Sequence, residues 1–75
     1  MTDTWKHGQK RELAARCSLS PQFITDLTKR TRRASPGVAL ELEKASEEMG
    51  LPIDREDWAN PQWSDSPFFD GEPEK

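Results

Sequence analysis

Apolar residues recur along the chain at spacings that predict three α-helices, each with one buried face. The first covers about residues 9–17, the second 21–30 and the third 36–49. The positions expected on the buried faces are Leu13, Ala14 and Cys17, then Phe23, Ile24 and Leu27, then Val38, Leu42, Ala45 and Met49. Each set follows the helical period, and no segment of five or more residues alternates as a strand would. The pattern therefore predicts an all-α fold.

Serine–proline pairs mark the starts of the second and third helices. Ser20 and Ser35 are good N-cap residues, and the proline after each occupies the first helical position, where its missing N–H costs nothing. Gly50 fits the position just past the third helix. Asp54 is expected to cap a short fourth helix that continues through Trp58.

The C-terminal segment differs in composition from the rest of the chain. From residue 59 onward proline, serine, glycine and acidic residues dominate, which predicts an irregular acidic tail. The tail also contains Trp63, Phe68 and Phe69, which are unusual in a purely solvated segment. With 75 residues in all, we expect one domain over residues 1–58 and a tail over 59–75 that is partly disordered or folded back on the core.

Charge is distributed unevenly between the two halves of the chain. Residues 1–37 contain eight Lys/Arg and three acids, a net charge of +5, whereas residues 38–75 contain three and eleven, a net charge of −8. The overall charge of −3 would argue against a nucleic-acid partner. Because the local field of one face attracts phosphate, the basic half keeps that partner open.

Several function classes have little support in the residues. Cys17 is the only cysteine, so no intrachain disulfide forms and a cytoplasmic location is expected. His7 lacks neighbours at metal-ligand spacing, and Cys17 lacks a positioned base, so we expect no metal, no cofactor and no enzymatic activity. The first residues lack the apolar core of a signal peptide, and no apolar run could span a membrane.

The segment from Arg11 to Leu27, RELAARCSLSPQFITDL, resembles the Cro/repressor-type helix-turn-helix. The sequences RRASP at 32–36, LELEKA at 40–45 and REDW at 55–58 extend the likeness to YdaS-like phage regulators, some of them antitoxins, so that it covers about residues 9–63. The resemblance implies a lambda-repressor-like bundle of about four short helices. It also implies a transcriptional regulator, such as a repressor, whose recognition helix at about residues 21–30 enters the major groove of double-stranded DNA.

The chain departs from the family pattern at three motif positions and at its N-terminus. Lys10, Cys17 and Ser18 stand where the family usually has Gln, Leu and Gly, so Ser18 must accept a turn that favours positive φ. The first helix of the family is truncated here, because only about eight residues precede the motif. Trp5, Trp58 and the aromatic tail are expected to cover that side of the core.

Two groups of residues are candidates for DNA contact. Gln22, Thr25 and Asp26 lie in the first turns of the second helix and are the candidate base contacts, Gln22 through bidentate pairing with adenine. Phe23 is expected to pack on the domain. The candidate phosphate contacts are the basic residues Lys10, Arg11, Lys29, Arg30, Arg32 and Arg33.

One short recognition helix reads only half of a site, so we expect a homodimer on a near-palindromic operator. The alternative is a protein-interaction adaptor or antitoxin-like module that binds a protein partner through the acidic, aromatic C-terminal half. Binding to random duplex DNA at low salt would discriminate between the two hypotheses.

Overall fold

A computed structural model describes residues 5–71 and contains four α-helices and one short 3-10 turn. They are α1 (Gln9–Arg16), α2 (Pro21–Thr28), α3 (Pro36–Glu48) and α4 (Arg55–Ala59), followed by the 3-10 turn Pro61–Trp63. Residues 5–71 contain no strand and have a Cα radius of gyration of 10.9 Å. The prediction of a compact all-α fold of about four short helices is confirmed. The last four residues of the expected tail, 72–75, lie outside the described part.

The predicted helix starts are present with their caps. The Ser20 Oγ accepts a hydrogen bond from the Phe23 N–H at 3.2 Å, and the Ser35 Oγ accepts one from the Val38 N–H at 3.4 Å. Gly50 follows α3 with a φ of +79°. Because side-chain oxygens satisfy N–H groups that have no intrahelical partner, these caps fix where α2 and α3 begin.

Two non-glycine residues with positive φ end the first two helices. Ser18 follows α1 with a φ of +57°, which is the conformation expected from its place in the turn. Arg30 has a φ of +66°, and α2 ends at Thr28, two residues earlier than predicted. The left-handed conformation costs a side-chain-bearing residue about 1–2 kcal/mol, so tertiary contacts must hold Arg30 there.

The core is formed by all four helices, with the most extensive packing between α3 and α4 and between α1 and α2. Its side chains with no solvent exposure include Leu13, Ile24, Leu27, Leu42 and Trp58. The predicted stripe on α3 is partly wrong: the buried residues of this helix are Ala39, Leu42, Ala45 and Ser46, whereas Val38 and Met49 are half-buried. The buried face is rotated because α3 packs more extensively on α4 than on α1.

A cluster of four aromatic side chains, Trp5, Trp58, Phe68 and Phe69, covers the side of the core next to the segment that precedes α1. The Trp5 ring centroid lies 6.2 Å from that of Trp58 and 5.5 Å from that of Phe68, and Trp58 lies 5.3 Å from Phe69. The Trp5 Nε1–H donates to the Phe68 carbonyl at 2.7 Å. The N-terminal segment and the tail are thereby joined to each other and to α4.

Arg30 connects the end of α2 to the tail through backbone carbonyls. Its Nε donates to the Asp70 carbonyl at 2.7 Å, and its two terminal nitrogens donate to four more. Those acceptors are the carbonyls of Pro61, Ser64 at 2.8 Å, Phe69 at 3.5 Å and Gly71 at 3.0 Å. We refer to this set of contacts as the Arg30 clamp. A planar guanidinium has five N–H donors spread over three nitrogens, so it can bind several carbonyls at once. A lysine ammonium has three donors on one nitrogen and could not reach all of them together.

Two substitutions of Arg30 should separate the stabilising effect of the Arg30 clamp from the energetic cost of the positive φ. Arg30→Ala removes the clamp but keeps a side chain at positive φ, and leaves several carbonyls to find other donors. We expect it to lower the free energy of unfolding by on the order of 3 kcal/mol. Arg30→Gly removes the same contacts but relieves the backbone conformation, so it should be about 1 kcal/mol less destabilising than Arg30→Ala.

Urea denaturation followed by circular dichroism measures both values, with Arg33→Ala as the control at an exposed neighbouring arginine. The control should change stability by less than about 0.5 kcal/mol. Equal, small effects of Arg30→Ala and Arg33→Ala would show that the clamp contributes nothing to stability.

Candidate functional site

The pair formed by α1 and α2 positions the residues that the sequence singled out. Leu13 and Ala14 are buried on α1 against Ile24 and Leu27 of α2. The small Ala14 allows close approach, and its carbonyl accepts from the Leu19 N–H at 2.8 Å within the connecting turn. This local hydrogen bonding fixes the start of α2 relative to α1, so the first turn of α2 faces outward.

Gln22, a predicted base contact, lies exposed in that first turn and is already part of a polar network. The Gln22 Nε2 donates to the Asp26 Oδ1 at 3.0 Å. The other oxygen of Asp26 lies 3.5 Å from the Arg32 Nε, and the Arg32 guanidinium stands 5.7 Å from the Phe23 ring centroid. Three of these four residues were predicted as contacts or anchors of a DNA site, and the structure brings them together.

This network lines one wall of an open hollow of about 320 Å³. Ser18, Leu19 and Ser20 complete its lining. The Arg32 side chain remains 61% exposed, so its ion pair with Asp26 is of the weak, solvent-exchangeable type. Thr25, the third predicted base contact, is half-buried. Phe23 is half-buried and packs against the core under Arg32.

A second hollow, of about 340 Å³, lies between the start of α1 and the start of α2. It is lined by Trp5, Lys6, His7, Gly8, Lys10, Arg11 and Pro21. Arg11 is exposed beside it, while Lys10 is held inward: its Nζ donates to the Thr28 Oγ1 at 3.2 Å and stands 5.8 Å from the Trp5 ring centroid. An ammonium has three donors, so Lys10 keeps some capacity for another acceptor.

Three of the six predicted phosphate contacts are exposed cations without an ion pair among residues 5–71. They are Arg11, Lys29 and Arg33. Arg30 stands apart from them, since the Arg30 clamp directs its donors to carbonyls of the tail. The sequence grouped Arg30 with its neighbours because a basic run after a helix carries no sign of which member turns inward.

Most of the acidic residues belong to the C-terminal half of the chain. Several of them lie on the surface of α3 and α4. Glu41, Glu47, Glu48 and Glu56 are exposed. Arg16 bridges the two halves: its guanidinium lies 2.9 Å from a Glu12 oxygen and 3.1 Å from a Glu48 oxygen.

Lys6 and His7 were missed as candidate site residues, although both are exposed and line the second hollow. The available signal was the density of basic and imidazole side chains in the run KHGQKR at 6–11. Thr28 was missed as well; it is fully buried, and its Oγ1 donates to the Thr25 carbonyl at 2.8 Å while accepting from Lys10. Nothing in the pattern marks a threonine at the end of a helix as a buried acceptor.

Among residues 5–71 no group of three or more His, Cys, Asp or Glu side chains is arranged to hold a metal ion. None of the helices in this part of the chain is long and apolar enough to cross a membrane. Comparison with protein-family models, with curated proteins and with solved structures gives no match to this chain.

Cys17 is the one nucleophilic thiol in the sequence, and it is half-buried at the end of α1. Its Sγ lies 3.7 Å from the Glu41 carbonyl oxygen, toward which the S–H is directed. Burial raises the pKa of the Cys17 thiol, and the negative charge of Glu41 raises it further. Both effects disfavour the thiolate, which is the reactive form.

We therefore expect Cys17 to react slowly with a disulfide reagent in the folded protein. The pH at which its rate is half-maximal should lie above that of the urea-unfolded chain, because only the folded chain buries the thiol. Glu41→Gln should move this pH downward, whereas the exposed Glu47→Gln should not. Stopped-flow absorbance with an aromatic disulfide between about pH 7 and 11 spans the ordinary thiol range and measures it. The same half-maximal pH in folded and unfolded protein would contradict the burial argument.

Proposed function

We propose that this protein is a sequence-specific, double-stranded DNA-binding transcriptional regulator. In this proposal α1 and α2 act as a helix-turn-helix on a lambda-repressor-like scaffold, with α2 as the recognition helix in the major groove. The observation that carries the proposal is the exposed first turn of α2, with Gln22 on it. The turn lies on an α1–α2 pair that also presents the exposed cation Arg11, and the exposed cations Lys29 and Arg33 follow α2.

The Gln22–Asp26 hydrogen bond supports a specific reading of one base. A glutamine amide has two N–H donors and a carbonyl oxygen. If one N–H of Gln22 stays on the Asp26 Oδ1, the other can donate to adenine N7 while the Oε1 accepts from adenine N6. Asp26 then acts as a positioning residue for Gln22 instead of accepting from cytosine, and Arg32 neutralises its charge next to the DNA.

The phosphate contacts of the proposed complex come from the cations with free donors. Arg11, Lys29 and Arg33 supply about three per subunit, and Arg32 can add another through its terminal nitrogens while its Nε stays beside Asp26. Lys10 contributes through the donors that Thr28 leaves unused. Arg30 is left out of the interface, because moving it to a phosphate would break the Arg30 clamp.

The uneven charge of the chain would orient the approach to DNA. Like charges repel, so the acidic surface of α3 and α4 turns away from phosphate while the cations on α1 and after α2 are drawn toward it. A protein with a net charge of −3 can in this way bind a polyanion through one face.

The alternative function, a protein-interaction module that uses the aromatic tail, has less support from the geometry. Trp58, Phe68 and Phe69 are buried in the core, so three of the C-terminal aromatics are already occupied within the chain. Failure to bind duplex DNA at low salt would favour this alternative.

Salt dependence of binding tests the electrostatic part of the proposal. A single subunit with about three phosphate contacts should bind random duplex DNA with a log–log slope of about −3, and a dimer with about −5 to −6. Arg33→Ala should reduce the slope by about 1 per subunit and weaken binding to all sequences alike. Lys44→Ala, on the exposed surface of α3, is the matched control and should leave the slope unchanged.

Fluorescence anisotropy of a labelled duplex over a series of KCl concentrations provides these slopes. A slope near zero, or equal effects of the Arg33 and Lys44 substitutions, would overturn the assignment of the phosphate face.

Selection of bound oligonucleotides from a random pool tests base readout and yields the operator. Gln22→Ala should reduce discrimination at one base pair by about 1–3 kcal/mol, with little change in random-sequence affinity. Asp26→Ala removes the oxygen that accepts from the Gln22 amide, so it should reduce discrimination at the same base pair. Gln62→Ala makes the same change as Gln22→Ala on a distant exposed residue and should have no effect. Loss at two unrelated base pairs would show that Asp26 reads a base of its own.

A further inference from the structure

Trp63 is the only large apolar side chain among residues 5–71 that is exposed, at 57%. It lies in the 3-10 turn, and the backbone on both sides of it is fixed. The Arg30 clamp holds the carbonyls of Pro61 and Ser64, and the Ser64 Oγ donates to the Asp57 Oδ1 at 2.7 Å. Trp63 is therefore an indole projecting from an anchored backbone, next to Glu56 and Asn60 at one edge of α4.

An open apolar groove of about 540 Å³ runs along the other edge of α4. Its walls are Pro36, Gly37, Ala39 and Leu40 at the start of α3, and Arg55, Glu56 and Ala59 of α4. Leu40 is half-buried, and a Cβ added to Gly37 would meet no atom within 4 Å, so the missing side chain leaves the groove open. Glu56 borders both the groove and the surroundings of Trp63, so the two features are adjacent.

We propose that this groove binds the Trp63 side chain of a second copy of the chain, and that the two copies form a two-fold symmetric dimer through α4. Both halves of the contact are present on one surface: a projecting indole and an apolar groove. The rim of the groove is also self-complementary in charge, because Arg55 and Glu56 are neighbours of opposite sign. A two-fold axis places Arg55 of each copy opposite Glu56 of the other.

The size of the contact indicates a weak dimer. A stable interface buries roughly 800 Å² per partner, which is a large share of the 5036 Å² surface of the described chain. One tryptophan buries at most about 150–250 Å², so Trp63 would be the central anchor of a small interface. The dimer forms without DNA in this proposal, which therefore goes beyond DNA binding, and a two-fold operator would strengthen it.

Sedimentation velocity of the full chain without DNA tests the interface directly. The wild type should pass from 8.6 kDa toward twice that mass as its concentration rises. Trp63→Ala removes the anchor and Gly37→Gln fills the groove, and each should weaken dimerisation on the order of tenfold or more. Gln62→Ala, next to Trp63, is the control and should dimerise like the wild type.

Charge reversal provides a readout that loss of folding cannot imitate. Arg55→Glu and Glu56→Arg should each weaken the dimer, and the double variant should restore it, because the two charges exchange places on both copies. A wild type that stays monomeric to millimolar concentration, or dimerisation of Trp63→Ala equal to that of the wild type, would overturn the proposal. Species that keep growing beyond the dimer would overturn its two-fold form.

Binding to DNA separates this proposal from the function proposed above. On a two-fold site, Trp63→Ala should lower affinity, whereas on a single half-site it should match the wild type. If no variant binds DNA but the wild type dimerises through Trp63, the DNA proposal fails and the interface stands. If all variants bind both sites equally and remain monomeric, the interface fails and DNA binding stands.

Discussion

The guanidinium of Arg30 joins the end of α2 to the tail segment 61–71. A domain of 75 residues has few apolar side chains, and the first helix of this one has only eight residues. The clamp draws the tail across the end of α2, where the Asp70 N–H also donates to the Thr28 carbonyl at 2.7 Å. Phe68 is thereby held against Trp5 and Phe69 against Trp58, so the tail contributes two buried side chains to the core.

Arg30 also affects the charge of the candidate functional surface, because its guanidinium is bound to the tail and is not available there. Arg30 lies in a run of basic residues, yet its charge is directed to carbonyls at the back of α2. The exposed cations that remain for an external anion, Arg11, Lys29 and Arg33, lie on α1 and directly after α2. In the proposed complex, binding of phosphate to these cations would leave the Arg30 clamp intact, so recognition and stability would depend on different members of one basic run.

Hydrogen bonding on the surface of α2 gives the proposed readout its geometry. An isolated glutamine has several rotamers, and holding one of them costs conformational entropy. In this chain Asp26 accepts from Gln22 and Arg32 pairs with Asp26 above the Phe23 ring. The amide is therefore partly oriented before a base arrives. The proposed dimer contact uses Trp63 and the groove beside α4, and none of the residues that line these features lines the hollow around Gln22.

The sequence by itself determined the helices and their starts, because caps, prolines and apolar spacing act within a few residues. Ser20 and Ser35 cap the helices that follow them, Ser18 takes the predicted positive φ, and α1, α3 and α4 end within one residue of the expected position. It also singled out Gln22 in the first turn of α2 and Asp26 one turn further on, although only the structure shows the hydrogen bond between them.

Only the tertiary structure decided which equivalent-looking residues turn inward. Arg30 is bound to the tail whereas Arg33 is exposed, and Phe68 is buried whereas Trp63 is exposed. On α3, Ser46 is buried and Met49 only half-buried. In each pair the difference comes from contacts with segments distant in the chain. Side-chain type and local spacing carry no record of those contacts, since packing between distant segments depends on how the whole chain closes.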